Sequence, residues 1–308
     1  MTEDRIRRDH GTSPTAAEDW VIRWTRGKGC AEVAELLSSG HADHIEGNLK
    51  AACIADKVDV LVQAKASSFD LVSTAVPHAI DQSEPISEVV GAVGGGPHSP
   101  LVAAVTARIA LTLGVESNLI SAARDDAEHS VAESTLETLG KHAPDAARRV
   151  VRTAAAADLL KPLGGNALLV LGAPGGSWWQ RQFFGPGRKL MLAAPAGAIV
   201  VRAAPRRCFH VMDEVEVMGA QMRAADALAV LRFPAAPVVA DGVLIGIVRR
   251  EALDAAPADT AIEALMEDPV HLAADDPLEA VAEVATYMEG APVPVVDDRG
   301  RPVGAVSP

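Results

Sequence analysis

APVVADGVLIGIVRR at 236–250 and VPVVDDRGRPVGAVSP at 293–308 are one pattern written twice. Each copy starts with a Pro-Val-Val strand, turns through acidic residues and a glycine, and returns in a strand that ends Gly-apolar-Val. Pro237 answers to Pro294 and Gly246 to Gly304, offsets of 57 and 58 residues. An amphipathic helical stretch precedes each copy, 224–231 for the first and 277–288 for the second. One helix and one hairpin bury too little apolar surface to stand alone, so the two copies are expected to pack on each other. The last hundred residues, 209–308, therefore read as a tandem with modules at 209–254 and 261–308.

Upstream, residues 86–205 alternate apolar strands with helix-length segments, the pattern of an α/β domain. Strands are predicted at 88–93, 118–123, 149–154, 166–173 and 196–203, and helices at 100–113, 127–142, 155–160 and 186–194. Five strands reading as continuous apolar runs imply a five-stranded parallel sheet covered on both faces, with its ligand outside the strands' carboxyl ends. Residues 17–85 carry helical patterns at 18–24, 30–37 and 45–55 and β-like runs at 58–63 and 69–76. They complete that sheet or duplicate its fold, and DQSEP at 81–85 is read as the boundary. Residues 1–16 have the composition of a disordered terminus.

The chain has 308 residues and a net charge of −13, which argues against a duplex nucleic-acid binder. Cys30, Cys53 and Cys208 are an odd number without a CxxC pair, so neither a disulfide framework nor a zinc knuckle is expected and the compartment reads as reducing cytoplasm. The N-terminus lacks a signal-peptide core, and the longest apolar tract, 190–201, is broken by Pro195 and Gly197. No membrane insertion is expected.

Chemistry concentrates in LLVLGAPGGSWWQRQFFGPGRKL, 168–190, where a strand enters a glycine-rich loop before a helix. Backbone N–H groups in such a loop approach phosphate oxygens unhindered by Cβ atoms, and the helix start adds its positive dipole end. Between Asp158 and Asp213 there is no acid but there are Lys161, Arg181, Arg188, Lys189, Arg202, Arg206 and Arg207. Neither GxGxxG nor GxxxxGK[ST] occurs, which excludes the usual dehydrogenase and Walker fingerprints. Trp178, Trp179, Phe183 and Phe184 sit in the same loop, for burial, adenine stacking or a dimer contact. His41-x2-His44 lacks a third metal ligand, so no metal site is expected. His98-Ser99, at the tip of the first strand, is expected to touch a ligand phosphate or, through Ser99, to cap the helix starting at Pro100, and Asp125 and Asp126 to cap the next one.

Gly172-x2-Gly175-x9-Gly185 resembles the nucleotide-binding signature of the universal stress protein family, which has the adenine nucleotide alpha hydrolase-like fold. The resemblance implies ATP, possibly with Mg, held by Gly172, Gly175 and Gly185, with Pro186 where the family has Ser or Thr and Gly94 or Gly95 where it has Asp. Ser177 or Arg181 stands in for the lost hydroxyl. The tandem resembles a pair of CBS domains, α+β modules that often sense adenine nucleotides. That resemblance implies a ligand site at Pro237, Gly246, Val248 and Arg249 and at Pro294, Gly304 and Ser307. Arg249 and Ala252 replace the usual hydroxyl and ribose-binding acid, and Arg249 and Arg250 are left to attract a phosphate. Together the resemblances imply a cytoplasmic, homodimeric regulatory protein without catalytic turnover. The alternatives are a ligand-independent scaffold with an unknown protein partner, and a slow nucleotide hydrolase.

Overall fold

The structure, a computed structural model, describes residues 19–38, 42–81, 83–153, 158–159, 165–173, 191 and 193–308. The chain divides into two compact units, one ending at Pro205 and the other Arg206–Pro308.

The first unit is built on a single sheet of nine strands among the described residues. They are β1 (Ile22–Trp24), β2 (Asp43–His44), β3 (Val60–Val62), β4 (Ser73–His78), β5 (Glu88–Ala92), β6 (Glu116–Ala123), β7 (Ala147–Arg152), β8 (Ala167–Gly172) and β9 (Ala198–Arg202), in the order β2-β1-β3-β4-β9-β8-β5-β6-β7. Every pairing is parallel except β4 with β9, which runs antiparallel from Thr74↔Arg202 to His78↔Ala198. The five predicted strands thus form one half of a larger sheet, and residues 81–85 separate two halves of one unit. The half from β5 to β9 reads third, second, first, fourth, fifth across the sheet. The half from β1 to β4 repeats that order with the third strand missing.

Within the stretch 18–24, where a helix is predicted, Ile22–Trp24 form the strand β1. Val21 and Ile22 are β-branched, and the Asp59 carboxylate accepts the Val21 N–H at 2.9 Å, anchoring β1 beside β3. Tertiary pairing overrides a helical pattern of so few residues. The helix predicted at 45–55 is shortened: β2 and Gly47 (φ +86°) come first, and α2 (Leu49–Ala55) starts behind Asn48, whose side chain accepts the Ala51 N–H. The helix predicted at 30–37 forms as α1 (Cys30–Ser38).

α3 (Ser99–Leu113) buries Leu101 through Val105 consecutively, because the sheet lies on one side of it and α1 on the other. Fully burying one such aliphatic side chain contributes about 1.5–3 kcal/mol. Gly91 lets β5 approach this helix, since a Cβ there would lie 2.5 Å from Thr106 Oγ1. Buried Arg108 donates from Nε to the Leu37 carbonyl at the end of α1 and stacks over Trp20, tying the two halves into one core. α4 (Asp126–Leu139) begins as predicted behind Asp125, whose carboxylate accepts the Glu128 N–H. The sheet ends in two blunted edges: β2 has two residues, and β7 carries Arg148, Arg149 and Arg152.

The second unit holds two three-stranded sheets of the same design. β10 (Met218–Gly219) is parallel to β11 (Ala235–Ala240), which is antiparallel to β12 (Val243–Arg249). β13 (Leu272–Ala273), β14 (Val293–Val296) and β15 (Pro302–Val306) repeat this pairing. Helices α5 (Cys208–Val211), α6 (Ala224–Val230), α7 (Arg250–Ala255) and α8 (Glu279–Ala285) lie between strands or before them. The first hairpin turns at Asp241 and Gly242, both with positive φ, as a two-residue turn requires. Its counterpart needs Asp297–Arg301, and the extra residue accounts for the change of offset from 57 to 58.

Each repeat lends its leading segment to the other. Asp213 exchanges both backbone hydrogen bonds with Ala305 on β15, and Glu267 does the same with Ile247 on β12. Cys208 N donates to Asp276 O as Ile262 N does to Met222 O, and Phe209 N to Ala274 O as Glu263 N does to Ala220 O. Gly246 and Gly304 make this approach possible: a Cβ would lie 2.5 Å from Glu267 O in the first and 2.8 Å from Asp213 O in the second.

Candidate functional site

A β-sheet whose strand order reverses leaves a gap beyond the strand ends, because the connections on either side of the reversal cross opposite faces. In the first unit this happens between β5 and β8. Ala92, Gly94, His98, Ser99, Val102, Gly172 and Ala173 line a small, open crevice there. Gly172 makes room for it, since a Cβ on this residue would sit 3.1 Å from that of His98.

The crevice wall is the first turn of α3. Pro100 suits an early helical position whose N–H has no intrahelical acceptor. His98 occupies the N-cap without a side-chain capping bond; its Nδ1 instead accepts the Ala203 N–H at 3.1 Å, at the end of β9. Burial first, and the nearby Arg202 charge second, hold the His98 pKa below its ordinary value. The ring is thus neutral near pH 7, and with Nδ1 accepting, the proton resides on Nε2. Ser99 does not cap the helix as expected. It is the first helical residue, 6% exposed, and its hydroxyl makes no hydrogen bond among the described residues. A neutral N–H donor, the Ser99 hydroxyl and a helix N-terminus around one crevice can hold an anionic group.

Of the residues carried over for ATP, Gly94 and Gly172 meet in this crevice. Gly95 (φ +72°) turns toward Thr135 of α4. Gly175, Ser177, Arg181, Gly185 and Pro186, with the aromatic cluster from Trp178 to Phe184, lie outside the described residues. The run of seven cations divides between the units: Arg206 and Arg207 belong to the second, where Arg207 Nη1 donates to the Asp275 carbonyl.

In the second unit Pro237 faces Ile247 and Pro294 faces Ala305 across their hairpins, and Val248 is fully buried. Ser307 is exposed beyond β15. Both arginines expected to attract a phosphate already hold protein partners. Arg249 Nε is 3.0 Å from both Glu267 oxygens, and an Arg250 Nη donates to the Leu231 carbonyl. The leading segments of the repeats escape a search for hairpins, although Met212-Asp213 and Met266-Glu267, 54 residues apart, are their sequence signal.

The three cysteines are free and buried, and burial pushes the Cys53 and Cys208 thiols up to about 12, which leaves them unreactive near neutral pH. No group of three or more potential metal-binding side chains occurs among the described residues. His44 packs against Trp24 with ring centroids 4.6 Å apart, and His41 lies outside the described residues. No helix among the described residues is long and apolar enough to cross a membrane.

Comparison with known proteins places residues 262–308 under the description CBS domain. No curated protein matches the chain. Among solved structures, the soluble part of a magnesium transporter is 21% identical with a TM-score of 0.30, covering 33% of this chain and 44% of that one. A CBS-pair protein of Arabidopsis thaliana in complex with AMP is 22% identical with a TM-score of 0.28, covering 31% and 85%. A CBS domain pair in complex with 5′-methylthioadenosine and S-adenosyl-L-methionine is 24% identical with a TM-score of 0.30, covering 33% and 89%. The second of the two repeats, residues 262–308, is a CBS domain.

Proposed function

We infer that this chain is a non-catalytic regulatory protein of the cytoplasm that responds to an adenine nucleotide, ATP foremost. Its first unit is of the universal stress type, and its second is a CBS pair that converts occupancy into a change of packing. The crevice between β5 and β8 carries this reading: the third-second-first-fourth-fifth strand order, Gly172 and the α3 N-terminus meet where such a fold receives phosphates. The duplicated strand pairing and exchanged leading segments of Arg206–Pro308 support the pair. Val230 and Tyr287, exposed at matching places 57 residues apart, support a homodimer.

Titration calorimetry with ATP, with and without Mg, tests the site. Gly172→Val should abolish binding by pushing a side chain into His98. Ser99→Ala should weaken it about tenfold, the worth of one hydrogen bond to a charged group. Absence of heat from the wild type with ATP, ADP and AMP at millimolar concentration would overturn the sensor and favour the ligand-independent scaffold.

A further inference from the structure

Arg249 ends β12 in the first repeat, yet every partner of its guanidinium belongs to the second. Nε donates to Glu267, Nη2 donates to the Tyr287 carbonyl at 2.8 Å, and Nη1 lies 2.9 Å from Glu289 Oε1 as an ion pair without hydrogen-bond alignment. The side chain is only 19% exposed. Tyr287 lies in the 3₁₀ turn that closes α8, where carbonyls lack intrahelical partners and a cation is favourable. Glu289, the C-cap of that turn, has φ +53°, a left-handed conformation costly for a residue other than glycine. Arg249 therefore touches the strand exchange, the helix end and the strained residue together.

The repeat has nothing like it on its other side. By the same offsets Arg249 corresponds to Ser307, Glu267 to Asp213 and Glu289 to Arg232. Arg232 instead pairs with Glu216 in an exposed contact, at 74% and 60% side-chain exposure. We propose that Arg249 is a latch between the two repeats, which closes the first side of the tandem against a phosphate-bearing ligand and leaves the Ser307 side as the one able to respond. The ligand part rests on reading this unit as nucleotide-responsive; the latch itself does not.

Hydrogen exchange on the full-length chain tests the latch without ligand. Arg249→Ala should raise exchange about tenfold at 264–268 and 286–290, the effect of releasing charge-assisted bonds, and leave the matching segment 210–214 unchanged. Glu267→Gln, at an exposed carboxylate whose loss empties no core, should raise exchange at 247–250. Titration with AMP tests the ligand part: Arg249→Thr should bind one more AMP per chain than the wild type. Unchanged exchange in both Arg249→Ala and Glu267→Gln would overturn the latch. Weaker AMP binding by Arg249→Ala would overturn the proposal too, making Arg249 a phosphate ligand. Raised exchange with no AMP bound by any of these proteins would support the latch and defeat the nucleotide reading of this unit.

Discussion

Each unit repeats an arrangement, but the two repetitions are held to different tolerances. In Arg206–Pro308 the copies match where they exchange segments: glycine to glycine at 246 and 304, an acid to an acid at 213 and 267, and the same exchanged backbone bonds. In the sheet only the strand order repeats. β1, β2, β3 and β4 take the positions of β5, β6, β8 and β9 respectively, yet no motif is shared and no counterpart of β7 occurs among the described residues. The reason lies in what each copy must fit. Each small repeat packs its leading segment against its twin's glycine, so a side chain in either place collides with backbone. The sheet halves meet along β4 and β9, and a pairing of main chains tolerates almost any side chains of the right polarity. Within the sheet the crevice is one-sided as well. At the matching place beyond β1 and β3, a Cβ on Gly27 would meet the Ala64 Cβ at 2.2 Å, so side-chain packing closes that gap.

This contrast is broken most directly at the exchange. Gly246→Val and Gly304→Val should each destabilise the second unit by about 3 kcal/mol, the upper range for forcing volume into a filled site, because neither Glu267 O nor Asp213 O can retreat without losing its pairing. Calorimetric unfolding of the two variants should give losses equal within about 1 kcal/mol. A severe effect at one glycine alone would show that the tandem is symmetric in pattern and not in energetics.

At the junction of the sheet halves the expected effect is smaller and has no twin. Gly197 precedes β9 with φ +89°, and a Cβ there would lie 2.4 Å from the Ala79 carbonyl oxygen just after β4. Gly197→Ala should cost about 2 kcal/mol, combining left-handed strain with a small displacement of Ala79. Chemical denaturation should show the loss in the first unit with the second unaffected. A neutral result would mean that the two halves shift against each other at little cost.

How much of this was legible follows the same division. The tandem could be read because its copies share residues at fixed offsets, and the strands from β5 to β9 because each is a run of apolar residues. The short strands of the first half were harder: VIRW at 21–24 fits one turn of helix as well as an edge of sheet, and only the neighbouring β3 and the Asp59 carboxylate decide between them. Gly94 and Gly172 could be placed at strand ends from the sequence. Ser99 and His98 could likewise be placed beside a phosphate at the tip of the first strand, but not how tightly they close on Gly172, which depends on how closely α3 approaches β8 and is fixed by the Ala203 N–H. The sequence leaves Arg249 to attract a phosphate, since its partners Glu267 and Glu289 come from parts of the second repeat that no local pattern brings to it.

The smallest effect is expected at His98 and separates the crevice from the rest of its sheet. Its folded pKa lies below the ordinary value, so as pH falls through about 6.5 the unfolded chain takes up a proton before the folded one does. The stability contributed by neutral His98 is therefore complete above that pH and is lost as pH falls toward the folded value. Protonation would also place a hydrogen on Nδ1 against the Ala203 N–H, two donors facing each other where the crevice wall meets β9. His98→Asn, whose amide oxygen can take the place of Nδ1, should flatten the dependence of first-unit stability on pH between about 5 and 7. His78, also depressed by burial, retains its own share and so leaves a residual slope. An unchanged pH profile in His98→Asn would mean that the ring is protonated without cost, and the neutral donor would have to be removed from the account of the crevice.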